Sequence, residues 1–184
     1  WHLILVEDAA ESLGSYYKGT HTGNFGKIGV LSFNGNKTIT CGGGGMLLTN
    51  SKRDADRARY LTTQAKDDAV EYIHNEVGFN YRMTNVQAAI GVAQLEQAPE
   101  FLQRKAQIGR RYRELATAIV GLQPFPEPPW AHSADWLGGV VIEDAGAVES
   151  FVEHMRERGV EARTFWKPMH LQMPYRDAPH ETLD

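Results

Sequence analysis

The first fifty residues alternate between short apolar runs and glycine-rich polar segments. The run "HLILVED" (2–8) is continuous and apolar before two acids, which is typical of a buried strand in a parallel sheet. The runs "IGVLSFNG" (28–35) and "GMLLTN" (45–50) predict two more strands. The glycine-rich segment 9–27 predicts a loop with at most one helical turn.

Helical spacing replaces these runs in the middle of the chain. Asn50 is a good N-cap, so the sequence predicts a helix over 51–65. Residues 67–83 lack a clear period and predict a loop. Thr84 is a second cap, and the segment after it, 85–97, has its apolar residues on one helix face.

A longer helix and a mixed C-terminal region follow. Pro99 suits the first turn of a helix that keeps its period to about Ile119. The segment "QPFPEPPW" (123–130) predicts a stiff connector. The remaining predicted elements are a strand, a helix that ends at Gly159 and a second strand, over 136–142, 145–158 and 160–166.

Strands separated by loops and helices predict an α/β fold. Ligands of such folds bind at the carboxyl ends of the strands. Asp8 ends the first predicted strand, Ser32 closes the second, and Lys37 follows soon after. We therefore expect these three polar groups to converge on one crevice. A boundary between two units is expected within the long helical region, near 100–120.

The composition is that of an ordinary globular protein, with 184 residues, 42% of them hydrophobic and 23% charged. The net charge of -4 and the pI of about 6.0 argue against binding to nucleic acid or to a membrane surface. Cys41 is the single cysteine, which excludes an intrachain disulfide and a multi-cysteine metal site. Because no long apolar stretch is present either, a cytoplasmic protein is expected.

The two ends of the chain predict a longer protein. Trp1 leads almost at once into an apolar strand, and "HETLD" does not read as the end of a domain. We expect the chain to be a fragment that lacks part of its site.

Lys37 lies between a strand and four glycines in "SFNGNKTITCGGGGML" (32–47). A lysine amine can form a Schiff base, and pyridoxal 5'-phosphate (PLP) would give the neighbouring groups a use. An aspartate such as Asp8 keeps the pyridine nitrogen protonated, and a hydroxyl such as that of Ser32 binds the phosphate. Glycines let the chain approach a flat ligand closely.

Each of these residues also has an ordinary structural interpretation. A lone lysine is mostly solvent-exposed. Asp8 could cap the turn that follows it, and Ser32 could bond within the sheet. The glycines do not follow the Walker pattern of a phosphate-binding loop. The seven histidines are scattered without zinc-like spacing, so we expect no metal site.

Four segments together resemble one known family: "VEDAAESLG", "GNFGKIGVLSFN", "NKTITCGGGGM" and "GFNYRMTNVQAAIGVAQLE". From about residue 2 to "WKPMHLQMPY", the chain resembles the DegT/DnrJ/EryC1/StrS aminotransferases, which are PLP-dependent enzymes of fold type I (aspartate aminotransferase-like). The resemblance implies the C-terminal part of the large, PLP-binding α/β domain over 1–105. It implies much of the small α+β domain, incomplete, over 106–184.

The resemblance also implies roles for single residues. Lys37 matches the lysine that forms the Schiff base with PLP and shuttles the proton. Asp8 matches the acid at the pyridine nitrogen, and Ser32 matches a phosphate ligand. Glu11 lies beside the ring hydroxyl, where the family often has glutamine, so the chain departs from the commoner type there.

Two further motifs concern a second subunit and the substrate. Asn80 and Arg82 match residues that reach the phosphate of the neighbouring subunit's cofactor, which implies a homodimer with shared active sites. Without the resemblance, both would be interpreted as loop-ordering residues. His170 matches a position that contacts substrate. The family has an upstream part with further cofactor contacts, so this chain alone is expected to bind PLP poorly.

The implied activity is transamination of a nucleotide-linked keto-sugar, with glutamate as the amino donor. "TTQAKDD" and "EYIHNEVGFNYRMTN" are most similar to enzymes that aminate a UDP-4-keto-6-deoxy-N-acetylhexosamine for surface-glycan synthesis. Two alternatives stay open. In a related PLP- or PMP-dependent sugar dehydratase, histidine replaces the lysine. A non-enzymatic PLP-binding regulatory domain follows a basic winged-helix module, which is not visible in this sequence.

Overall fold

The structure is a computed structural model that describes residues 2–180. In this part of the chain, eight short strands, β1 to β8, cover Val6–Asp8, Tyr16–Tyr17, Thr20–His21, Ile28–Ser32, Gly45–Leu48, Leu122–Pro124, Ala131–His132 and Val140–Ile142. Four helices, α1 to α4, cover Lys52–Thr62, Asn85–Glu96, Ala98–Ala118 and Val148–Glu157. Short 3-10 helices lie at Ala145–Ala147, Met169–Leu171 and Met173–Tyr175.

The sheet that positions the site has the strand order β1-β4-β5. β1 is parallel to β4, with Asp8 opposite Val30, and β5 is antiparallel to β4. Because β1 and β4 run in the same direction, Asp8 and Ser32 lie at the same carboxyl edge of the sheet. The other strands form two smaller sheets, β3-β2-β7 and β6-β8.

A small apolar core joins this sheet to the helices. Its buried members are Ala9, Leu31, Phe33, Ile39 and Cys41. Leu48 of β5, Met83 before α2 and Phe101 of α3 pack against them. The burial of Ile39 fixes the chain just after Lys37.

The helix starts follow the capping rules, with one correction. The Thr84 hydroxyl accepts the N–H of Gln87, and the Gln87 side chain accepts the N–H of Thr84 at 3.1 Å, so the predicted cap of α2 is confirmed. The predicted cap of α1 is wrong by one residue. Ser51, not Asn50, accepts the N–H of Asp54, at 3.3 Å, because a capping side chain must reach the first turn of its helix.

The longest described helix, α3, runs without a break through the predicted boundary between 1–105 and 106–184. Its later part contacts β6 and β8. The division into two domains therefore stays a prediction. Between residues 2 and 180, no helix combines the length and the apolar character needed to cross a bilayer.

The first predicted strand is shorter and more exposed than its apolar sequence indicates. Only Val6–Asp8 pairs, and Leu3 and Ile4 are 82% and 72% exposed. Among the described residues, β1 is an edge strand with β4 on one side only, so its apolar side chains have few neighbours. The prediction of a buried strand over 2–8 is wrong here, whereas its parallel pairing is confirmed.

The glycine-rich segment 9–27 is more than a loop. β2 and β3 form a hairpin with Tyr16 opposite His21, and β7 pairs with the other edge of β2. Lys18 and Gly19 form its turn at φ angles of 47° and 81°, the left-handed pair that a tight hairpin favours. Strands of two residues are too short to show alternation, so the sequence pattern gave no sign of them.

The C-terminal third departs furthest from its predicted elements. The predicted strand 136–142 pairs only over its last three residues, as β8. β6 reaches into the predicted connector 123–130. In the described part of the chain, no strand forms over 160–166, because none of the described strands pairs with that segment. The helix predicted over 145–158 begins with a 3-10 turn.

Candidate active site

The amine of Lys37 lies between a carboxylate and an aromatic ring. Its Nζ donates to Oε1 of Glu11 at 3.1 Å and lies 4.3 Å from the centroid of the Trp136 ring. The Lys37 side chain is 12% exposed, whereas that of Glu11 is 50% exposed. Because an ammonium is costly to remove from water without partners, these two contacts are what make its position possible.

A tight turn after β4 directs Lys37 toward these partners. The N–H of Lys37 donates to the carbonyl oxygen of Asn34 at 3.1 Å, and the N–H of Asn34 donates to Oγ of Ser32 at 3.3 Å. Phe33 and Ile39, on the two sides of the turn, are 3% and 1% exposed. Their burial anchors both ends of the turn and leaves little freedom for the lysine between them.

These groups line one cavity, which we name the lysine crevice. Its lining residues are Ala10, Glu11, Leu13, Ser32, Lys37, Thr38, Ile39 and Trp136. Apolar side chains form much of the wall, and an amine, a carboxylate and two hydroxyls are the polar groups that it offers. Small-molecule sites use groups of these kinds, but the cavity of about 10 Å³ is far smaller than such sites, because Glu11 and Trp136 pack directly around the Lys37 amine.

Asp8 lies at the same sheet edge but does not line the lysine crevice. It is exposed, and its Oδ1 accepts the N–H of Ala10 at 3.1 Å. The residues after it form turns, so Asp8 orders a turn and caps no helix. Of the three groups expected to converge, Ser32 and Lys37 share the crevice, and Asp8 stands just before it on β1.

Two of the glycines after Lys37 are required by the backbone itself. Gly44 has a φ of +85°, where a side chain is strained, and a Cβ there would lie 2.9 Å from Met83. A Cβ on Gly45 would lie 2.4 Å from the carbonyl oxygen of Leu31. Close pairing of β5 with β4 therefore needs these glycines, a role separate from the predicted approach to a flat ligand.

Trp136 is the crevice residue that no sequence motif indicated. It lies between β7 and β8, and its Nε1 donates to the carbonyl oxygen of Asn36 at 2.9 Å. Its ring stacks on that of Trp166, with centroids 6.0 Å apart and planes 7° from parallel. The segment around Trp136 has no helical or strand periodicity, and no sequence motif links it to Lys37. Only the tertiary contact identifies Trp136 as a residue of the site.

The other predicted site residues lie outside the lining of the lysine crevice. Asn80 and Arg82 are exposed on the segment before α2, where Asn80 bridges to Thr63. His170 lies in a 3-10 turn and stacks on His180, with centroids 4.8 Å apart. Across residues 2–180, no three His, Cys, Asp or Glu side chains are arranged to hold a metal ion.

A carboxylate beside the site has a displaced pKa. Glu7 of β1 accepts the N–H groups of Gly23, Phe25 and Gly26 at 2.7, 2.6 and 2.5 Å. Burial alone would raise the pKa of Glu7, but these bonds favour the ionised form and hold the pKa below its ordinary value. The loop that leads into β4 is thus fixed to β1 by one carboxylate.

Several known proteins are similar to this chain. EpsN of Bacillus subtilis strain 168, provisionally assigned as a pyridoxal phosphate-dependent aminotransferase, is 42% identical over 91% of this chain and 43% of its own length. The GDP-perosamine synthase of Escherichia coli O157:H7 is 39% identical over 95% of this chain and 47% of its own. The crystal structure of the aminotransferase TlmJ from Streptoalloteichus hindustanus superposes with a TM-score of 0.87 and 31% identity, over 98% of this chain and 49% of that one.

The likeness to TlmJ confirms the α/β class and the aminotransferase fold that the motifs imply. The chain spans about half the length of each of these relatives. The profile of one family matches residues 1–183, nearly the whole sequence. The chain therefore belongs to the DegT/DnrJ/EryC1/StrS aminotransferase family.

Proposed function

We propose that the protein in its full length is a PLP-dependent aminotransferase that acts on a nucleotide-linked keto-sugar. Family membership supports this, and one structural observation carries it: the Lys37 amine is held in a crevice at the carboxyl edge of a parallel strand pair. A lysine amine is the nucleophile that forms a Schiff base with PLP. The Lys37 side chain is 12% exposed and lines the lysine crevice, so a ligand bound in the crevice would contact it.

The polar groups at this edge fit the cofactor. PLP has an aldehyde, a pyridine nitrogen and a phosphate, which need an amine, a carboxylate and a hydroxyl. Lys37, Asp8 and Ser32 carry these groups. Ser32 lies two residues beyond Val30, the partner of Asp8, which at about 3.3 Å per residue is roughly 7 Å along the sheet. We therefore assign Asp8 to the pyridine nitrogen and Ser32 to the phosphate, which they would hold when PLP is bound.

The proposed mechanism depends on proton transfer by Lys37. Its Nζ takes the proton from the α-carbon of the amino donor and later delivers a proton to the sugar carbon that receives the amine. When bound, PLP would supply the electron sink for the pair of the broken C–H bond. Glu11 holds the free amine of Lys37 in the crevice through the 3.1 Å bond. Asp8 would keep the pyridine nitrogen protonated.

The substrate class follows from the family and its relatives. We propose a nucleotide-linked 4-keto-sugar, with glutamate as amino donor, and favour a UDP-4-keto-6-deoxy-N-acetylhexosamine because of the segments 62–68 and 71–85. The E. coli relative is named for a GDP-linked sugar, so the nucleotide is the point to test. With a single cysteine in the chain, the cytoplasm stays the expected compartment.

We propose that a second copy of the protein completes the site. Asn80 and Arg82 are exposed and do not line the crevice of their own chain. A guanidinium and an amide are suited to a phosphate, so both are available to the cofactor of a neighbouring subunit. His170 is assigned to the substrate on the resemblance alone.

Borohydride trapping tests the proposal directly. The full-length protein is incubated with PLP and reduced, and the modified residue is mapped by mass spectrometry; we expect modification at Lys37. Lys37→Ala should lower amine transfer by at least roughly 100-fold, the lower end of what a proton-transfer residue contributes. Lys52→Ala is the matched control, because Lys52 is 88% exposed. Trapping at another lysine, or normal turnover by Lys37→Ala, contradicts the proposal.

The products separate the alternatives. Amine transfer from glutamate to a UDP-linked keto-sugar supports the full proposal. Transfer to a GDP-linked sugar alone keeps the reaction and corrects the nucleotide. Loss of a sugar hydroxyl without gain of nitrogen indicates a dehydratase. DNA binding with neither reaction indicates a regulatory domain.

A further inference from the structure

Trp136 lies across the free amine of Lys37. The Nζ is 4.3 Å from the centroid of the Trp136 ring, well inside the distance at which a cation is attracted to an aromatic face. The second partner, Glu11, is 50% exposed, so water and salt weaken its attraction. The ring covers the amine on another side and excludes water there.

Three contacts fix the Trp136 ring and its backbone. Its Nε1 donates to the carbonyl oxygen of Asn36, the residue before Lys37, at 2.9 Å. Its own carbonyl oxygen accepts from Nζ of Lys105 on α3 at 2.8 Å. Its ring stacks on Trp166. Trp136 is thus bonded both to the turn that carries Lys37 and to α3.

The residue before Trp136 has an unusual backbone that is itself held. Asp135 has a φ of 49°, an uncommon conformation for a residue with a side chain. Its carboxylate accepts two bonds from Arg113, at 2.9 and 3.3 Å, and its N–H donates to Ser133 at 3.1 Å. A Cβ on Gly109 would lie 2.2 Å from that carboxyl group, so a glycine in α3 makes the close approach possible. Such conformations persist where the surroundings over-determine them.

From this geometry we propose that Trp136 is a positioning residue for Lys37. Its ring face keeps the free amine in the crevice while Lys37 is not covalently engaged, and the Arg113–Asp135 pair holds the segment that presents the ring. This rests on the proposed function of Lys37. A flexible lysine stem needs such a constraint to stay at the reacting atoms. Glu11 provides the negative charge that attracts the amine, whereas Trp136 provides an aromatic face that covers the amine without accepting a hydrogen bond from it.

The test measures the accessibility of the Lys37 amine in full-length protein stripped of cofactor. The protein is labelled briefly with acetic anhydride, and each lysine is quantified by mass spectrometry. In Trp136→Leu, which removes the ring, Lys37 labelling should rise roughly three- to tenfold, the range that the loss of a cation–π contact implies. Trp136→Phe keeps an aromatic face but loses the bond from Nε1 to Asn36, so its Lys37 labelling should lie between those of the wild type and Trp136→Leu. Lys52 is the internal control and should not change.

A second measurement follows the amine to its proposed use. Added PLP should become reducible onto Lys37 several-fold more slowly in Trp136→Leu than in the wild type, with Trp136→Phe in between. Equal Lys37 labelling in Trp136→Leu and wild type overturns the proposal. A Phe variant as impaired as the Leu variant also overturns it, because the indole N–H would then be the part that matters.

Two arrangements keep the test decisive. If Trp136→Leu does not fold, Trp136→Met takes its place, since methionine keeps the length of the side chain without the ring. Failure of the proposed function is recognised separately, because wild-type protein would then show no trapping of PLP on Lys37. The labelling needs no cofactor, and it decides the contact between Trp136 and Lys37 in either case.

Discussion

The lysine crevice and the loop over 63–83 both carry family motifs, but they are ordered in different ways. At the crevice, buried residues fix the backbone, and the polar groups face one another: Lys37 contacts Glu11 and Trp136. In the loop, polar bonds at the surface do the ordering. Asp67 accepts the hydroxyl of Tyr60 and the N–H of Asn75, at 3.0 and 2.8 Å.

The apolar side chains of the loop emphasise the contrast. Val70, Val77 and Tyr81 are 82%, 80% and 75% exposed, so burial contributes to the order of the loop only near its ends, at Ala65 and Met83. Gln64, Ala65 and Tyr72 have positive φ angles without being glycines. A loop whose middle keeps this shape with so little burial presents its groups outward, which suits Asn80 and Arg82 if their ligand lies on a second copy. The two regions should therefore fail differently when a single contact is removed.

The largest loss of stability is expected in β4, the strand that leads to the lysine crevice, where two backbone segments lie in close contact. Gly29 is buried in β4, and a Cβ there would lie 2.1 Å from the carbonyl oxygen of Gly23. Because neither chain segment is free to move, Gly29→Ala should lower the free energy of unfolding by about 3 kcal/mol or more. Urea unfolding of the full-length protein, followed by circular dichroism, measures the loss.

Gly35→Ala is the matched control for that substitution. A Cβ at Gly35 has nothing within 4 Å and no positive φ to oppose it, although Gly35 lies in the turn before Lys37. We expect a change within about 0.5 kcal/mol, as for most exposed sites. Equal losses for the two variants would show that close backbone approach is not what makes the crevice region rigid.

How far the sequence predicts this region depends on the range of each contact. Thr84 signals the start of α2 by local capping chemistry, and the pattern of "IGVLS" signals β4, since both depend on neighbours in the chain. The burial of 2–8 and a strand over 160–166 were predicted wrongly. A strand needs a neighbour, and apolar alternation does not show whether one is present.

The site was predictable to the same extent. Lys37 and Ser32 lie within one motif, and the parallel register of β1 and β4 brings Asp8 to their edge. Trp136 depends on an ion pair between α3 and Asp135, which leaves no trace in spacing or period. The part of the site that the sequence patterns did not predict is thus the part that depends on long-range contacts of single side chains.

A smaller loss of stability is expected at Glu7, whose carboxylate, rather than apolar packing, holds the loop over 23–26 to β1. Because the pKa of Glu7 is lowered in the fold, its contribution is present above the ordinary value of about 4.5 and is lost as the pH falls through the lowered value. Glu7→Gln should lower the urea midpoint at pH 7, by less than Gly29→Ala. The difference from the wild type should shrink below pH 4.5.

Urea midpoints measured between pH 7 and pH 3 check the Glu7 prediction. Glu153→Gln, at an exposed position of α4, serves as the control and should not alter the pH dependence. A constant difference between Glu7→Gln and the wild type across this range would mean that the charge of Glu7 does not hold the loop over 23–26.

The smallest global effect is expected in the loop over 63–83. The N–H of Asn75 is the main group that lowers the pKa of Asp67, ahead of the opposing effect of burial, and the hydroxyl of Tyr60 adds to it. Asp67→Asn removes the charge but little packing. Hydrogen exchange at the Asn75 amide should rise by roughly tenfold or less, with the urea midpoint unchanged. The amide of Val30 in β4 is the internal reference.

A fall in the urea midpoint of Asp67→Asn, together with faster exchange at Val30, would mean that the loop and the sheet unfold as one unit. The contrast between the two regions would then be wrong. Local exchange alone would show that the segment carrying Asn80 and Arg82 can open while the crevice stays closed. A loop that opens independently can adjust to a neighbouring subunit without disturbing the position of Lys37.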